Sequence, residues 1–194
     1  MNMNINISPA TLNDWNQVNQ LQLQSQLDLN QTSNPTYRSE MEQKGFLLGE
    51  YSFQEYQSHI KDIFLLAKIE QKLVGYIRIS HQMEFRDNQQ KKWVNDQEKI
   101  EYYHPPHAEI GAIVISTKFS GQGIATMLLS KAIEKLQPEH SSLYSIIAIA
   151  PILNKPSLQF HQKNNFKKVS SGSPSQLFGF LNYQSELLKL RLVT

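Results

Sequence analysis

Gly121 and Gly123 stand one residue apart in the stretch AIVISTKFSGQGIATMLLSKAIEKL, residues 112–136. An apolar run of strand character precedes them, and apolar residues at helical spacing follow. A turn of that kind leaves backbone N–H groups unpaired at the start of the helix, where the helix dipole adds a positive field. Such a cradle suits an anion, a pyrophosphate above all. Glycines there let the main chain approach a ligand closely and adopt φ > 0. The same pair serves a ligand-free turn equally well, with Ile124, Met127, Leu128 and Leu136 as core. Two familiar phosphate signatures are excluded. The string Gly-x-x-x-x-Gly-Lys-Ser/Thr does not occur, and Gly-x-Gly-x-x-Gly/Ala fails because position 126 is Thr and a hairpin precedes the turn.

The elements that must position this turn are legible in the periodicity. Ile5 and Ile7 alternate with polar residues, as in a half-buried strand. Leu12, Trp15, Val18 and Leu21 follow at three-residue spacing, and Thr11 with Asp14 forms a capping-box start for a helix. Residues 30–58 mix turn formers, aromatics and at most a short helix, a length typical of a binding loop. DIFLLAKIEQKLVGYIRIS predicts two strands joined near Glu70-Gln71-Lys72. After a charged, aromatic connection over 86–106, AEIGAIVIS predicts the strand before the glycines. SLYSIIAIAP reads as another buried strand, NKPSLQFHQKNNF as a short helix, and SQLFGFLNY with SELLKLRLV as a terminal hairpin. The expected fold is α/β (α+β): a mixed, mostly antiparallel sheet of about seven strands with helices on both faces.

Bulk properties bound the function. The chain has 194 residues, enough for one domain over 1–194 with a proper core. Net charge is +2, too weak a bias to imply nucleic acid. Cysteine is absent, which removes disulfides, thiolate metal sites and a cysteine nucleophile, and no metal is expected. No apolar run approaches the roughly 20 residues that cross a bilayer, so no membrane partner is expected. MNMNINISPATLNDW lacks the basic and apolar regions of a secretory signal, so the expected location is the cytoplasm.

A third phosphate pattern does fit. SGQGIATMLL resembles motif A of the GCN5-related N-acetyltransferases (the GNAT superfamily), Gln/Arg-x-x-Gly-x-Gly/Ala. Gly123 and Ala125 match its last two positions, Gly121 matches a frequent filler, and Ser120 stands where Arg or Gln is usual. One strand later, NKPSLQFHQKNNF resembles the family's Asn-x-x-Ser-x-x-Phe-Tyr/His-x-x-x-Gly-Phe, through Asn154, Ser157, Phe160, His161 and Phe166. Asn165 replaces the usual Gly, a small change where only a left-handed helix end is needed. ISPATLNDWNQV and LVGYIRIS look like the family's first strand and helix and its third strand. Within the superfamily, AIAPILNKPSLQFHQ looks most similar to predicted acetyltransferases.

The resemblance implies an enzyme that uses acetyl-CoA as co-substrate and acetylates a primary amine of a small molecule, an amino acid or a peptide. It implies a sheet splayed between its fourth and fifth strands. The pantetheine arm would then pair with the main chain of Ile113, Val114 and Ile115. The pyrophosphate would rest on the turn made by Ser120, Gly121, Gln122, Gly123, Ile124, Ala125 and Thr126. Ser120 removes a long basic side chain from that rim but offers a hydroxyl, with Lys118 nearby.

Glu109 resembles the carboxylate that many members use as general base, with His107 and Tyr103 as further candidates. A base is useful because an amine of pKa about 10.4 is mostly protonated at neutral pH. His161 stands where the family commonly places a Tyr that protonates the CoA sulfur, and otherwise reads as a helix-face histidine beside Phe160. Asn154 and Ser157 imply contacts to the CoA arm, and Asn154 equally caps the helix that Pro156 opens. Aromatics and the acids Glu42, Glu50 and Glu55 in the two long connections could form a rim for a cationic amine, or a satellite core. A non-catalytic acyl-CoA sensor of the same fold is the other reading, and the terminal hairpin offers an edge for a homodimer.

Overall fold

The computed structural model describes residues 4–81, 90–104, 106–136 and 140–192. A single path of hydrogen-bonded strands runs β1 (Asn6–Pro9), β2 (Ile63–Ile69), β3 (Lys72–Ser80), β5 (His107–Ile115), β6 (Ser142–Ala150), β9 (Phe180–Arg191), β7 (Lys167–Gly172) and β4 (Lys91–Trp93). A short β8 (Ser175–Leu177) pairs with β9 off that path. Every pairing is antiparallel except that of β5 with β6. This is the mixed, mostly antiparallel sheet expected from the sequence. Seven strands carry it, and the two three-residue strands β4 and β8 are additions.

Helices cover both faces. On one side α5 (Ile124–Leu136) buries Ile124, Leu128, Leu129, Ala132 and Leu136 against Leu65, Val74, Ile77, Ile79, Ala108, Ile110 and Leu143. Met127, expected in that core, is instead 42% exposed, because the apolar stripe runs through Leu129 and Ala132. Leu158 and Phe160 of α6 (Lys155–Lys163) pack onto the same core. On the other side α1 (Trp15–Ser25) supplies Val18 and Leu21, and α3 (Phe53–His59) supplies Tyr56, against Phe64, Leu66, Tyr76, Ala112 and Val114. The Thr11–Asp14 capping box forms as expected, opening a 3-10 turn that runs into α1. Residues 30–58 hold more structure than the sequence reading allowed: α2 (Pro35–Lys44), capped by Asn34, and α3, capped by Ser52 with Glu55. α4 (Asp96–Tyr103) fills part of the second connection, whose residues 86–89 and 105 lie outside the described ones.

The C-terminal end departs from expectation. Phe180–Arg191 is one continuous strand, and its hairpin turn falls at Phe178 and Gly179, both at positive φ. Gln184, expected near the bend, pairs with Ala150. β7 was not foreseen because Lys-Lys-Val-Ser-Ser-Gly has one buried apolar residue, Val169, and no alternation to announce a strand. β9 lies between β6 and β7, and its residues 186–189 pair with both.

Candidate functional site

β5 and β6 pair only where residues 107–110 meet residues 142–145. Beyond Ile110 the two strands diverge, β5 staying with β3 and β6 with β9. The inner edges of residues 111–115 and 146–150 therefore face each other without β partners. This is the splay between the fourth and fifth sheet strands that the resemblance implied. Unpaired edge amides and carbonyls are costly to leave dry, and an extended amide-bearing chain would satisfy them. Ile113 and Ile115 turn their side chains to the α5 core, while Val114 turns to the α1 core.

Gly111 sets where the divergence begins. Arg78 pairs with Ala112 and Ile79 with Ile110, so Gly111 is the extra residue of a bulge. The bulge reverses the alternation of β5: Ala108 and Ile110 before it, and Ile113 and Ile115 after it, face the same core. The Arg78 guanidinium lies across Gly111, where a Cβ would meet Arg78 Cζ at 2.7 Å and Nε at 3.0 Å. Arg78 is 3% exposed. Its Nε donates to Tyr51 Oη (3.0 Å), its Nη1 donates to His59 Nδ1 (2.8 Å), and Asp62 Oδ2 lies 3.5 Å from Nη1. A lone Arg in the apolar run LVGYIRIS and a Gly inside a strand were the signals for this pair.

At the open end of β5 a 3-10 turn (Thr117–Phe119) leads into the glycines. Gly121 and Gly123 sit at φ +77 and +80, and a Cβ at either would touch nothing within 4 Å. Their backbone conformation, rather than crowding, is what requires glycine. Ser120, Gly121, Gln122 and Gly123 are exposed, Ala125 is half-buried, Thr126 is exposed, and Ile124 is anchored in the core. Met127 N–H bonds Gly123 O at 3.0 Å, so the amides of residues 124–126 stand in the first turn, where intrahelical acceptors run out. An open, glycine-bent helix start beside two unpaired strand edges has the donors that a pyrophosphate and its amide-bearing arm require. Lys118 is exposed on the turn.

Glu109 lies at the closed end of the splay, 4% exposed, with Ser80 across on β3 and Tyr144 across on β6. His107 is buried two residues earlier, stacked on Tyr102 at 5.7 Å and edge-on to Tyr144 at 5.2 Å. Burial, and then the neighbouring His140, hold its pKa below the ordinary value, and its buried Nδ1 has no hydrogen-bond partner. Tyr144 and Lys189 continue the row across the sheet. The Lys189 ammonium is ion-paired to Glu98 (2.7 Å) and to Glu101 of α4. Burial alone would lower its pKa, but the hydrogen bonds it donates to Glu101 and Glu98 outweigh that and hold the pKa above normal. Tyr103 lies apart from this row, 53% exposed on α4 against Trp93.

The second motif folds into α6 and its caps. Asn154 Oδ1 accepts from Ser157 N–H (3.4 Å), and its Nδ2 donates to Phe46 O (2.9 Å). Its side chain thus caps α6 and ties down the segment after α2. Ser157 O accepts from His161 Nδ1 (2.7 Å). His161 is 1% exposed, with Phe160 and Phe166 edge-on at 5.0 and 4.8 Å. Burial pushes its pKa down to about 4. The neutral ring has spent its one proton on Ser157, so Nε2 is a bare acceptor with no partner. Asn165 takes φ +66 at the helix end, the left-handed cap for which Asn substitutes for Gly.

The acceptor rim looks different from the cationic-amine reading. Tyr56, Phe46 and Tyr102 are core, Tyr37 Oη accepts from Asp28 N–H, and Glu55 is consumed in the Ser52 capping box. The aromatics of the long connections are largely satellite core.

The model of the acetyltransferase (GNAT) family matches residues 26–166, and the chain belongs to that family. Its fold is shared with smu.2055 of Streptococcus mutans (TM-score 0.69, 17% identity, covering 96% of this chain and 98% of that one). It is also similar to the ribosomal-protein-S18-alanine N-acetyltransferase of Escherichia coli (TM-score 0.64, 10% identity, 98% and 95% covered). A third similar structure is the PaiA N-acetyltransferase of Thermoplasma acidophilum, solved with coenzyme A (TM-score 0.61, 15% identity, 98% and 100% covered). No curated protein sequence matches the chain. Among the described residues no helix is long and apolar enough to cross a membrane.

Proposed function

We propose that this protein is an N-acetyltransferase that moves an acetyl group from acetyl-CoA to a primary amine by direct attack. The observation that carries the reading is the gap between β5 and β6 ending at the glycine-bent start of α5. Ile113, Val114 and Ile115 offer main-chain partners to the pantetheine arm. Residues 120–126 hold the pyrophosphate, with the Ser120 hydroxyl in place of a basic side chain. The Thermoplasma acidophilum protein, solved with coenzyme A on a similar fold, supports the same co-substrate. Asn154 and Ser157 shape the far wall through the α6 cap.

Glu109 is the general base. The amine nitrogen bonds to the thioester carbon, its proton passes to the Glu109 carboxylate, and the carbon–sulfur bond breaks. The CoA thiolate takes its proton from solvent. A thiolate is a far weaker base than an amide anion and leaves without a dedicated acid, so the lack of a proton on His161 Nε2 does not stop the reaction. The same lack favours a second reading, an acyl-CoA sensor that binds without turnover.

Thiol release from acetyl-CoA across an amine panel separates the two. The enzyme reading expects amine-dependent release that falls about 10²–10⁴-fold in Glu109→Gln. It also expects CoA binding to be lost in Gly123→Glu, where a carboxylate enters an anion cradle. Saturable CoA binding with no amine-dependent release leaves the sensor. CoA binding that is absent in the parent overturns both.

A further inference from the structure

A primary alkylamine of pKa about 10.4 arrives at neutral pH mostly as the ammonium. Two protons must then leave its nitrogen, one before it can attack and one as the amide forms. Glu109 takes the second, and a carboxylate that already held the first could not. Another acceptor is needed beside it.

The face of the sheet that carries Glu109 supplies one. Ala108 and Ile110 turn to the α5 core, so His107 and Glu109 turn the other way. Tyr144 is the register partner of Glu109 on β6 and meets the His107 ring edge-on at 5.2 Å, so the three share that face. His107 is 7% exposed and Tyr144 is fully buried. The Tyr144 hydroxyl and His107 Nδ1 have no hydrogen-bond partner among the described residues. Buried polar atoms left so cost stability, yet these two are complementary. A hydroxyl gives one proton as it takes another, and an imidazole nitrogen receives it.

The charged and titratable groups around them have other partners or face solvent. Tyr102 of α4 stacks on His107, and His104 is exposed. His140, ahead of β6, shares Nε2 with His81 Nδ1 (3.2 Å) and Nδ1 with Leu136 O (3.1 Å). Lys189, 5.8 Å from the Tyr144 ring centre, is paired with Glu98 and Glu101. Burial holds the His107 pKa below its ordinary value, so the ring is neutral and able to accept. Burial raises the Tyr144 pKa, so the hydroxyl keeps a proton to pass on.

We propose that His107 is a second base, which takes the first ammonium proton through the Tyr144 hydroxyl. This rests on the acetyltransferase reading of the same site. The ammonium gives a proton to the Tyr144 oxygen, and the Tyr144 O–H gives its own to His107 Nδ1. The neutral nitrogen bonds to the thioester carbon, its next proton passes to Glu109, and the carbon–sulfur bond breaks. His107 and Glu109 return their protons to solvent, and the thiolate takes one back.

The test follows kcat/KM by thiol release against pH, from about 7 to about 10, for the fastest primary alkylamine of the panel. His107→Gln and Tyr144→Phe can use only the amine that is already neutral. Each should fall about 10²-fold below the parent at neutral pH and close that gap as pH nears the amine's pKa. Glu109→Gln should stay below the parent by a constant factor, as would a variant damaged only in its packing. Urea unfolding checks folding, and Tyr144→Phe should keep its stability because it removes a hydroxyl without a partner. No loss in either variant, a loss in either that is constant with pH, or a gap in Glu109→Gln that closes overturns this inference and leaves the acetyltransferase reading standing. Absence of release with every amine overturns that reading and this one with it.

Discussion

Replacing Gly111 by Ala puts one methyl group where the Arg78 guanidinium lies. Gly111 is not among the positive-φ glycines, so its backbone accepts Ala. By that criterion the change should stabilise by about 0.5 kcal/mol through the unfolded chain. The structure reverses the sign. The new Cβ would sit 2.7 Å from Arg78 Cζ and 3.0 Å from Nε, inside any normal contact. Arg78 cannot swing aside freely, because Tyr51, His59 and Asp62 hold it on three sides.

Overpacking costs about 1–3 kcal/mol, and a buried guanidinium pulled from its partners about 3–5. Those bonds lengthen rather than break, so the expected loss is about 3 kcal/mol, or about 9 °C in Tm at this chain length. Urea unfolding at constant m measures it. In an Arg78→Met background, which removes the crowded nitrogens, the same Gly111→Ala change should cost less than about 1 kcal/mol. A cost below 0.5 kcal/mol in the parent, on the order of ordinary surface changes, would refute the reasoning, as would an equal cost in both backgrounds.

Two further outcomes follow from buried titratable groups. His161 is held at a pKa of about 4, against an ordinary 6.5. Its folded pKa lies below the unfolded one, so the unfolded chain takes up the proton first as pH falls. The site therefore costs nothing above about pH 6.5 and removes up to about 3 kcal/mol of stability between pH 6.5 and 4. Tm against pH should lose most of that slope in His161→Gln, and an unchanged slope would show that the ring titrates normally. Lys189 is buried and paired with Glu98 and Glu101. Glu98→Gln with Glu101→Gln should cost about 3–5 kcal/mol in urea unfolding, because an ammonium is left buried without a counter-charge. A loss under 1 kcal/mol, the scale of an exposed pair, would mean that Lys189 reaches solvent.

Much of the fold was legible because its signals are local. The Thr11–Asp14 box, the strands over 63–69 and 72–80, the glycine turn before α5 and the left-handed Asn165 all depend on residues within a few positions of one another. β7 escaped because a strand made mostly of Lys and Ser is recognised only by the partner it pairs with. The hairpin turn moved to Phe178 and Gly179 because register along β9 is set by β6 and β7 together.

The same division runs through the site. By itself the sequence determined the glycine turn, the strand leading to it and the Asn154 cap, since φ > 0 at Gly121 and Gly123 and a capping side chain are properties of short segments. Only the tertiary structure decided what His161, Arg78 and Phe46 do. His161 reads as a helix-face residue by spacing, yet the fold buries it against Phe160 and Phe166 with Nδ1 on Ser157 O. Arg78 and Gly111 meet across 33 residues of chain, and Asn154 and Phe46 across 108. Desolvation and long-range contact depend on which strands and helices come together, and no local spacing carries that information.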